Sequence, residues 1–227
     1  MSEMEKLRIF DNELKKLNER VINMSHLVEE QVSNAILALN TCDMKLAKQV
    51  IENDNMVDKL DIKIDKLCQN IFALQQPVAT DLRYIISSLK INNDLERIGD
   101  HAVNIAKRIE PFCNYMSFSK KFGIDELANT AVSLYKDVDQ LIKTHQLVLA
   151  NDIFHNALII KDNCHKASEK IIEEMMHQSE VIVVATNLMI IINLIERIAS
   201  YSTNVAEAII FVVEGKIVKH QKRNEEH

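Results

Sequence analysis

Residues 93–107 read NDLERIGDHAVNIAK, and residues 193–207 read NLIERIASYSTNVAE. At an offset of 100 they share Asn93/Asn193, Glu96/Glu196, Arg97/Arg197, Ile98/Ile198, Asn104/Asn204 and Ala106/Ala206, which is 6 identities in 15 positions. A weaker correspondence sets DNMVDKLD, from Asp54, against DNCHKASE, from Asp162. Two elements that recur in the same order mark an internal duplication. Tandem three-helix bundles are the architecture that fits it.

Outward from that segment, the chain reads as all-α. It has 227 residues but only 3 glycines, 2 prolines and no tryptophan. A sheet protein of this length needs many turns, and turns draw on Gly and Pro. So few breakers mean few, long helices. The spacing predicts six: about Arg8–Asn40, from after Asp43 to about Gln75, from after Pro77 to about Glu110, then about Asp125–Ala150, Asp152–Gln178 and Val181–Glu214. Leu46, Val50, Val57, Leu60, Ile64, Leu67, Ile71 and Leu74 keep steps of three, four or seven, the stripe of a helix packed in a bundle. Asp43 has the chemistry of an N-cap and Gly215 that of a C-terminal stop. PFCNYMSFSKKFG, residues 111–123, reads as a linker, so the division is into repeats 1–113 and 114–227, with a polar, frayed tail HQKRNEEH.

Composition narrows the function. Hydrophobic residues make up 47% and charged ones 26%, an ordinary soluble balance. The net charge of -6 argues against a nucleic-acid binder, whose surface is normally basic, and suits cation binding. The N-terminus MSEMEKLRIFDNELKK carries no apolar signal core. VIVVATNLMIIINLI, residues 181–195, falls short of the roughly 20 apolar residues of a membrane span, and it is expected to be a helix buried on nearly all sides. Cys42, Cys68, Cys113 and Cys164 are scattered without a C-x-x-C, which predicts reduced thiols in a cytosolic protein.

The candidate chemistry lies in carboxylates. In the second helix Asp54, Asp58, Asp61 and Asp65 are spaced 4, 3 and 4, a one-sided row of like charges. In the third, the stripe of Leu82, Ile85, Ile86 and Leu89 continues as Asn93, Glu96, Asp100 and Asn104, so an apolar face turns polar. Like charges at i,i+4 destabilise a helix by a few tenths of a kcal/mol each unless something neutralises them. Carboxylate oxygens are the ligands of hard cations such as Mg, Ca, Mn and iron, and zinc accepts them. The bland alternative is a solvated face balanced by Lys59, Lys63 and Lys66. The second repeat is degraded: Lys166 stands opposite Asp58 and Ser200 opposite Asp100, and only Asp162 and Glu196 remain. Asp162, Lys166, Glu169 and Glu173 read as a self-compensated salt-bridge row. Glu174-x-x-His177 occurs once, without the partner motif a di-iron oxidase needs. His101 ranks below the acids as a ligand, because it lies about 140° around the helix from Glu96.

LQQPVATDLRYI followed by NDLERIGDHAVNIAKRI closely resembles the PhoU family of phosphate-signalling regulators, whose mark is a glutamine–proline turn and then a helix carrying this run. The likeness covers the whole chain, down to a terminal helix ending in glycine, FVVEGK. It implies a non-catalytic cytoplasmic adaptor that couples the ATPase of a phosphate ABC transporter to a sensor histidine kinase and restrains phosphate uptake. It implies neither nucleic-acid binding nor membrane insertion, and it implies a homodimer. It also implies iron or zinc, in some members as multinuclear clusters. The matching ligand positions are Asp54 with Asp58 and Glu96 with Asp100, and in the second repeat Asp162 and Glu196 alone. Asn104 and Asn204 are expected to hydrogen-bond between helices, and Arg97 and Arg197 to be structural ion-pair partners.

Overall fold

The structure, a computed structural model, describes residues 3–75 and 77–218. Its helices are α1 (Glu3–Thr41), α2 (Met44–Gln75), α3 (Ala79–Ala106), α4 (Met116–Lys120), α5 (Ile124–Thr144), α6 (Leu147–His177) and α7 (Ile182–Glu214), with 3-10 turns at Glu110–Tyr115 and Ser179–Val181. Among the described residues there is no strand. Gln76 of the glutamine–proline turn and the tail HQKRNEEH lie outside the described residues.

Local chemistry sets most of the boundaries. The Asp43 carboxylate accepts the N–H groups of Lys45 and Leu46 at 3.0 Å each, so it caps α2 as its side chain predicts. Gly215 takes a left-handed conformation, φ 71°, and its N–H closes onto the Phe211 carbonyl. Several boundaries depart from expectation: α3 ends at Ala106 rather than near Glu110, α6 begins at Leu147 rather than Asp152, and the fourth long helix stops at Thr144 rather than near Ala150. His145 turns left-handed there, and the Thr144 hydroxyl folds back onto the Gln140 carbonyl while accepting the Gln146 N–H. No glycine or proline announces this break. The linker is also more ordered than a plain loop, being built from a 3-10 turn and the short α4.

α1, α2 and α3 pack on one another as the first bundle, and α5, α6 and α7 as the second. Of the stripe Leu82, Ile85, Ile86 and Leu89 at the start of α3, Ile85 is buried, Ile86 and Leu89 are half-buried and Leu82 is exposed, while Ile91, Leu95, Ile98, Ala102 and Ile105 form a further stripe that is wholly buried. On α2 the predicted stripe is buried or half-buried except at its end, where Leu74 is 73% exposed. On α5, Leu127, Ala131, Leu134, Val138 and Leu141 repeat the pattern and are buried too. Truncating one such core side chain costs about 2–5 kcal/mol.

Two further contacts, α3 with α7 and α1 with α5, join the bundles into one core. Both join equivalent helices, and both run antiparallel. Lys90 lies over Phe211, Asn204 reaches Asp94, and Arg97 and His101 both meet Tyr201. Asn40 reaches Asn129, while Ser25 meets Tyr135 and Asp139. The chain therefore carries an internal twofold relation.

α7 with its preceding turn, Ser179–Glu214, is long and apolar enough to cross a membrane by length and composition. In this fold it is the helix on which α3, α5 and α6 pack. The expectation that it is buried on nearly all sides needs correction: Ile182 and Val183 are exposed at its start, and Asn193, Arg197 and Ser200 form a polar outer edge.

The cysteines also depart from expectation. Cys42 and Cys113 form a disulfide, so the chain does not carry four thiols. The fold brings the end of α1 against the linker, which leaves the two Cα atoms 5.5 Å apart, inside the range a disulfide spans. Cys68 and Cys164 are free and buried, and desolvation pushes each thiol up to about 12.

Candidate metal centre

The acids of α2 and α3 face one another along the first bundle. Asp54, Asp61, Asp65 and Glu96 are half-buried, and Asp58 and Asp100 are exposed. Asp54 is pushed above the ordinary carboxylate range, first by burial and then by Asp58 and Asp100. Glu96 is pushed up by burial, then by Asp100, Asp61 and Asp58. Asp61 is pushed up by burial, Asp65 and Asp58. The four residues Asp54, Asp58, Glu96 and Asp100 are thus brought into one electrostatic neighbourhood, and Asp61 and Asp65 extend it.

Amides from neighbouring positions brace the acids. Gln31 of α1 donates to Asp54 at 2.9 Å. A Cβ on Gly99 would lie 2.7 Å from the Gln31 Oε1, so a side chain there would have to displace the Gln31 amide. Asn92 donates to Asp61 at 2.7 Å and to Asp65 at 3.1 Å. The buried Oε1 of Gln31 and Oδ1 of Asn92 have no hydrogen-bond partner. Neither amide was singled out by sequence. Asn92 was legible in principle, since it sits one turn before Glu96, but Asn93 looked equivalent and instead lines a cavity between α3 and α7. Gln31 carried no signal, because its role depends on how α1 packs.

The lysines offered as the balancing charges do not pair with this row. Among the described residues, no salt bridge engages Asp54, Asp58, Asp61, Asp65, Glu96 or Asp100. Six carboxylates and two bracing amides form an oxygen-rich surface, on which Lys107 and Arg97 act from a distance at Asp54 and Glu96 without closing an ion pair, and which fits a hard cation. The side chains do not converge on one point: among the described residues, no three of His, Cys, Asp or Glu are grouped closely enough to hold an ion by themselves.

The second bundle differs from the first, and of the expected salt-bridge row only the Asp162–Lys166 pair forms among the described residues. Lys166 pairs with Asp162 at 2.5 Å, and the Ser200 hydroxyl donates to the Glu196 carbonyl of its own helix. Asp162 is exposed and already neutralised, and Glu196 has no acid at position 200 to join it. Glu174 of the E-x-x-H pair is held by Lys121 and Gln178. His101 points its ring at Tyr201, with centroids 5.5 Å apart, and both its nitrogens are buried without partners. Burial first, then Arg197, lowers its proton affinity. Asn104 accepts the Arg108 guanidinium on its backbone carbonyl and makes no side-chain bond to another helix among the described residues, while Asn204 bonds across helices to Asp94, at 3.5 Å, in line with expectation. The arginines do not: among the described residues Arg97 lies over the Tyr201 ring and Arg197 donates to Asn193, instead of forming ion pairs.

The raised carboxyls make a pH prediction. The folded chain holds these protons more tightly than the unfolded chain, so between about pH 4 and the raised values stability falls as pH rises. Neutralising them should therefore help most at higher pH. In chelator-treated protein, Asp54→Asn with Glu96→Gln should melt above wild type at pH 7, by on the order of 2 °C given solvent screening. The gain should shrink as the pH falls toward about 4. The comparison is between variant and wild type because His101 and His145, both lowered, act in the opposite sense over this range. A gain that is equal at both pH values would contradict the charge argument.

Known proteins share this architecture. The PhoU domain family matches residues 21–109 and again 124–209. The chain is 30% identical to the phosphate-specific transport system accessory protein PhoU homolog of Streptococcus pneumoniae serotype 4, over 92% of this chain and 97% of that one. It is 34% identical to the protein of the same description from Aquifex aeolicus, over 92% and 95%. The crystal structure of PhoU from Pseudomonas aeruginosa superposes with a TM-score of 0.85 at 29% identity, covering 91% of this chain and all of that one (100%). The phosphate transport system regulatory protein PhoU from Streptococcus pneumoniae gives 0.82 at 30%, covering 92% and 99%. Sequence and fold agree over both repeats, and the chain belongs to the PhoU family.

Proposed function

We propose that this chain is a non-catalytic regulator of phosphate uptake and phosphate-starvation signalling. It acts in the cytoplasm, as a homodimer, between the ATPase of a phosphate ABC transporter and a sensor histidine kinase. The observation that carries the reading is the match of both repeats, over nearly the full length of each relative, to proteins named as accessory to phosphate-specific transport. The acid rows of α2 and α3 would hold a metal, with Asp54, Asp58, Glu96 and Asp100 as its ligands and iron or zinc as the cation that suits them. Such a cation would neutralise the facing carboxylates and tie α2 to α3.

The test is complementation. In a bacterium deleted for its own accessory protein, this chain should restore low phosphate uptake and a silent starvation reporter in phosphate-rich medium. Uptake and reporter that stay high, with the chain expressed and soluble, would overturn the reading. One observation favours a metal-free scaffold as the second reading: the acids share a face without closing on a single point. As a docking face for a basic partner they need no closure. If the ATPase or kinase still binds after exhaustive chelation, the scaffold reading is the better one.

A further inference from the structure

The disulfide occupies a particular place in the fold. Cys42 is the left-handed residue, φ 53°, that ends α1 just before the α2 cap. Cys113 sits in the 3-10 turn Glu110–Tyr115, inside the linker between the repeats. The bond therefore fastens the linker to the α1–α2 corner and closes a loop, with a sequence separation of 71, that contains all of α2 and α3. Both cysteines are half-exposed. The other two differ in kind: Cys68 and Cys164 are buried inside the bundles and held as thiols. At about 12, neither forms a thiolate near neutral pH that could attack the Cys42–Cys113 bond. Exchange chemistry is thus confined to one pair, at the surface, on the segment that connects the halves.

Beside the bond, Phe112 is buried and Met116, Phe118 and Phe122 pack against the core, so the disulfide is the covalent tie among several contacts that hold the linker. Asn40 bonds to Asn129 across the halves at 3.1 Å, and a cavity of about 390 Å³ elsewhere is matched here by one of about 230 Å³, lined by Asn40, Phe112, Met116, Lys120 and Asp125. This cavity lies beside residues that flank both cysteines, and the bond itself is open to solvent on one side. The two bundles, in contrast, stay joined through α1–α5 and α3–α7 whether or not the bond exists.

We propose that Cys42–Cys113 is a reversible thiol–disulfide exchange site, at which a dithiol reductant unfastens the linker from the α1–α2 corner while both bundles stay folded. The step balances simply. A reductant thiolate bonds to one sulfur of the pair, the Cys42–Cys113 bond breaks, and its electron pair leaves on the other sulfur, which takes a proton. The second reductant thiolate then releases the first cysteine. The protein gains two thiols and the reductant becomes a disulfide. A disulfide oxidant reverses the sequence. The site does not depend on the phosphate reading or on any metal.

The full-length protein, air-oxidised or treated with dithiothreitol under native conditions, would be alkylated after denaturation and weighed. Two alkylated cysteines are expected in the oxidised form, mapped to Cys68 and Cys164, and four in the reduced form. Limited proteolysis should then cut residues 110–123 at least fivefold faster in the reduced form, with helix content unchanged by circular dichroism. The double variant Cys42→Ser with Cys113→Ser should cut at the fast rate in either condition. Four alkylated cysteines before reduction, under every oxidising condition, would overturn the proposal. So would a bond that dithiothreitol cannot reach without denaturant, equal cutting rates, or bundles that unfold on reduction.

Discussion

Glu96→Ala with Asp100→Ala should lose nearly all the iron or zinc that the wild-type chain takes up on reconstitution, measured by elemental analysis as metal per chain. Asp162→Ala with Glu196→Ala should lose little. The asymmetry follows from charge. In the first bundle the carboxylates of α2 and α3 raise one another's proton affinity and no salt bridge offsets them, so a bound cation would relieve repulsion there. In the second, Lys166 already supplies the positive charge, and Ser200 turns its hydroxyl inward. Equal losses in the two double variants would sink the asymmetry. A wild-type chain that takes up neither metal would remove the cation altogether and leave the acids as a docking face.

Asp139→Ala should lower the melting temperature by roughly 6–12 °C, the equivalent of about 3 kcal/mol in a chain of this size. Asp139 is only 5% exposed. One of its oxygens accepts the Ser25 hydroxyl of α1 at 2.9 Å, and the other pairs with Lys143. The fully buried Tyr135 donates to the Ser25 carbonyl beside it, at 3.3 Å, and burial lifts its phenol well above the ordinary value of about 10. Removing the carboxylate strands a half-buried ammonium and a buried hydroxyl at once, at the contact that joins the bundles. Asp139→Asn keeps an acceptor for Ser25 and should recover about half of the loss. A melting point within 2 °C of wild type for the alanine variant would mean that the α1–α5 contact does not depend on this group.

What the sequence revealed and what it hid divide along a physical line. Legible features are local or periodic. The buried stripes of α2 and α3, the Asp43 cap, the Gly215 stop and the Asp162–Lys166 pair each depend on residues within a turn or two of one another, so a single chain displays them. The duplication is legible because it repeats a pattern. Features that rest on contacts between distant segments were not. Gln31 reaches Asp54 because α1 and α2 pack in one particular rotation, and Ser25 reaches Asp139 because helices far apart in sequence pack side by side. Cys42 and Cys113 meet for the same reason, and scattered spacing said nothing of it. The break at His145 is a third kind of miss: a residue with a Cβ occupies a left-handed conformation that glycine usually takes. The acid row lies between these kinds. Its membership was legible from spacing, but which amide braced it depended on a rotation of less than one residue's step, as Asn92 and Asn93 show.

The antiparallel meeting of α3 with α7 has a consequence for how the two halves can change. Two separate copies of one repeat, pairing through this helix, would form an isologous contact in which every substitution strikes both sides together. An acid lost from one copy would be lost from the other, and a residue on the axis would face itself. Fusion into one chain ends that coupling. Asp94 now answers to Asn204 while its counterpart Leu194 need not answer to Asn104, and Asp100 can persist while position 200 becomes Ser200. A covalently joined pair can keep one binding face and release the other to drift or to a second task, at no expense to the shared core.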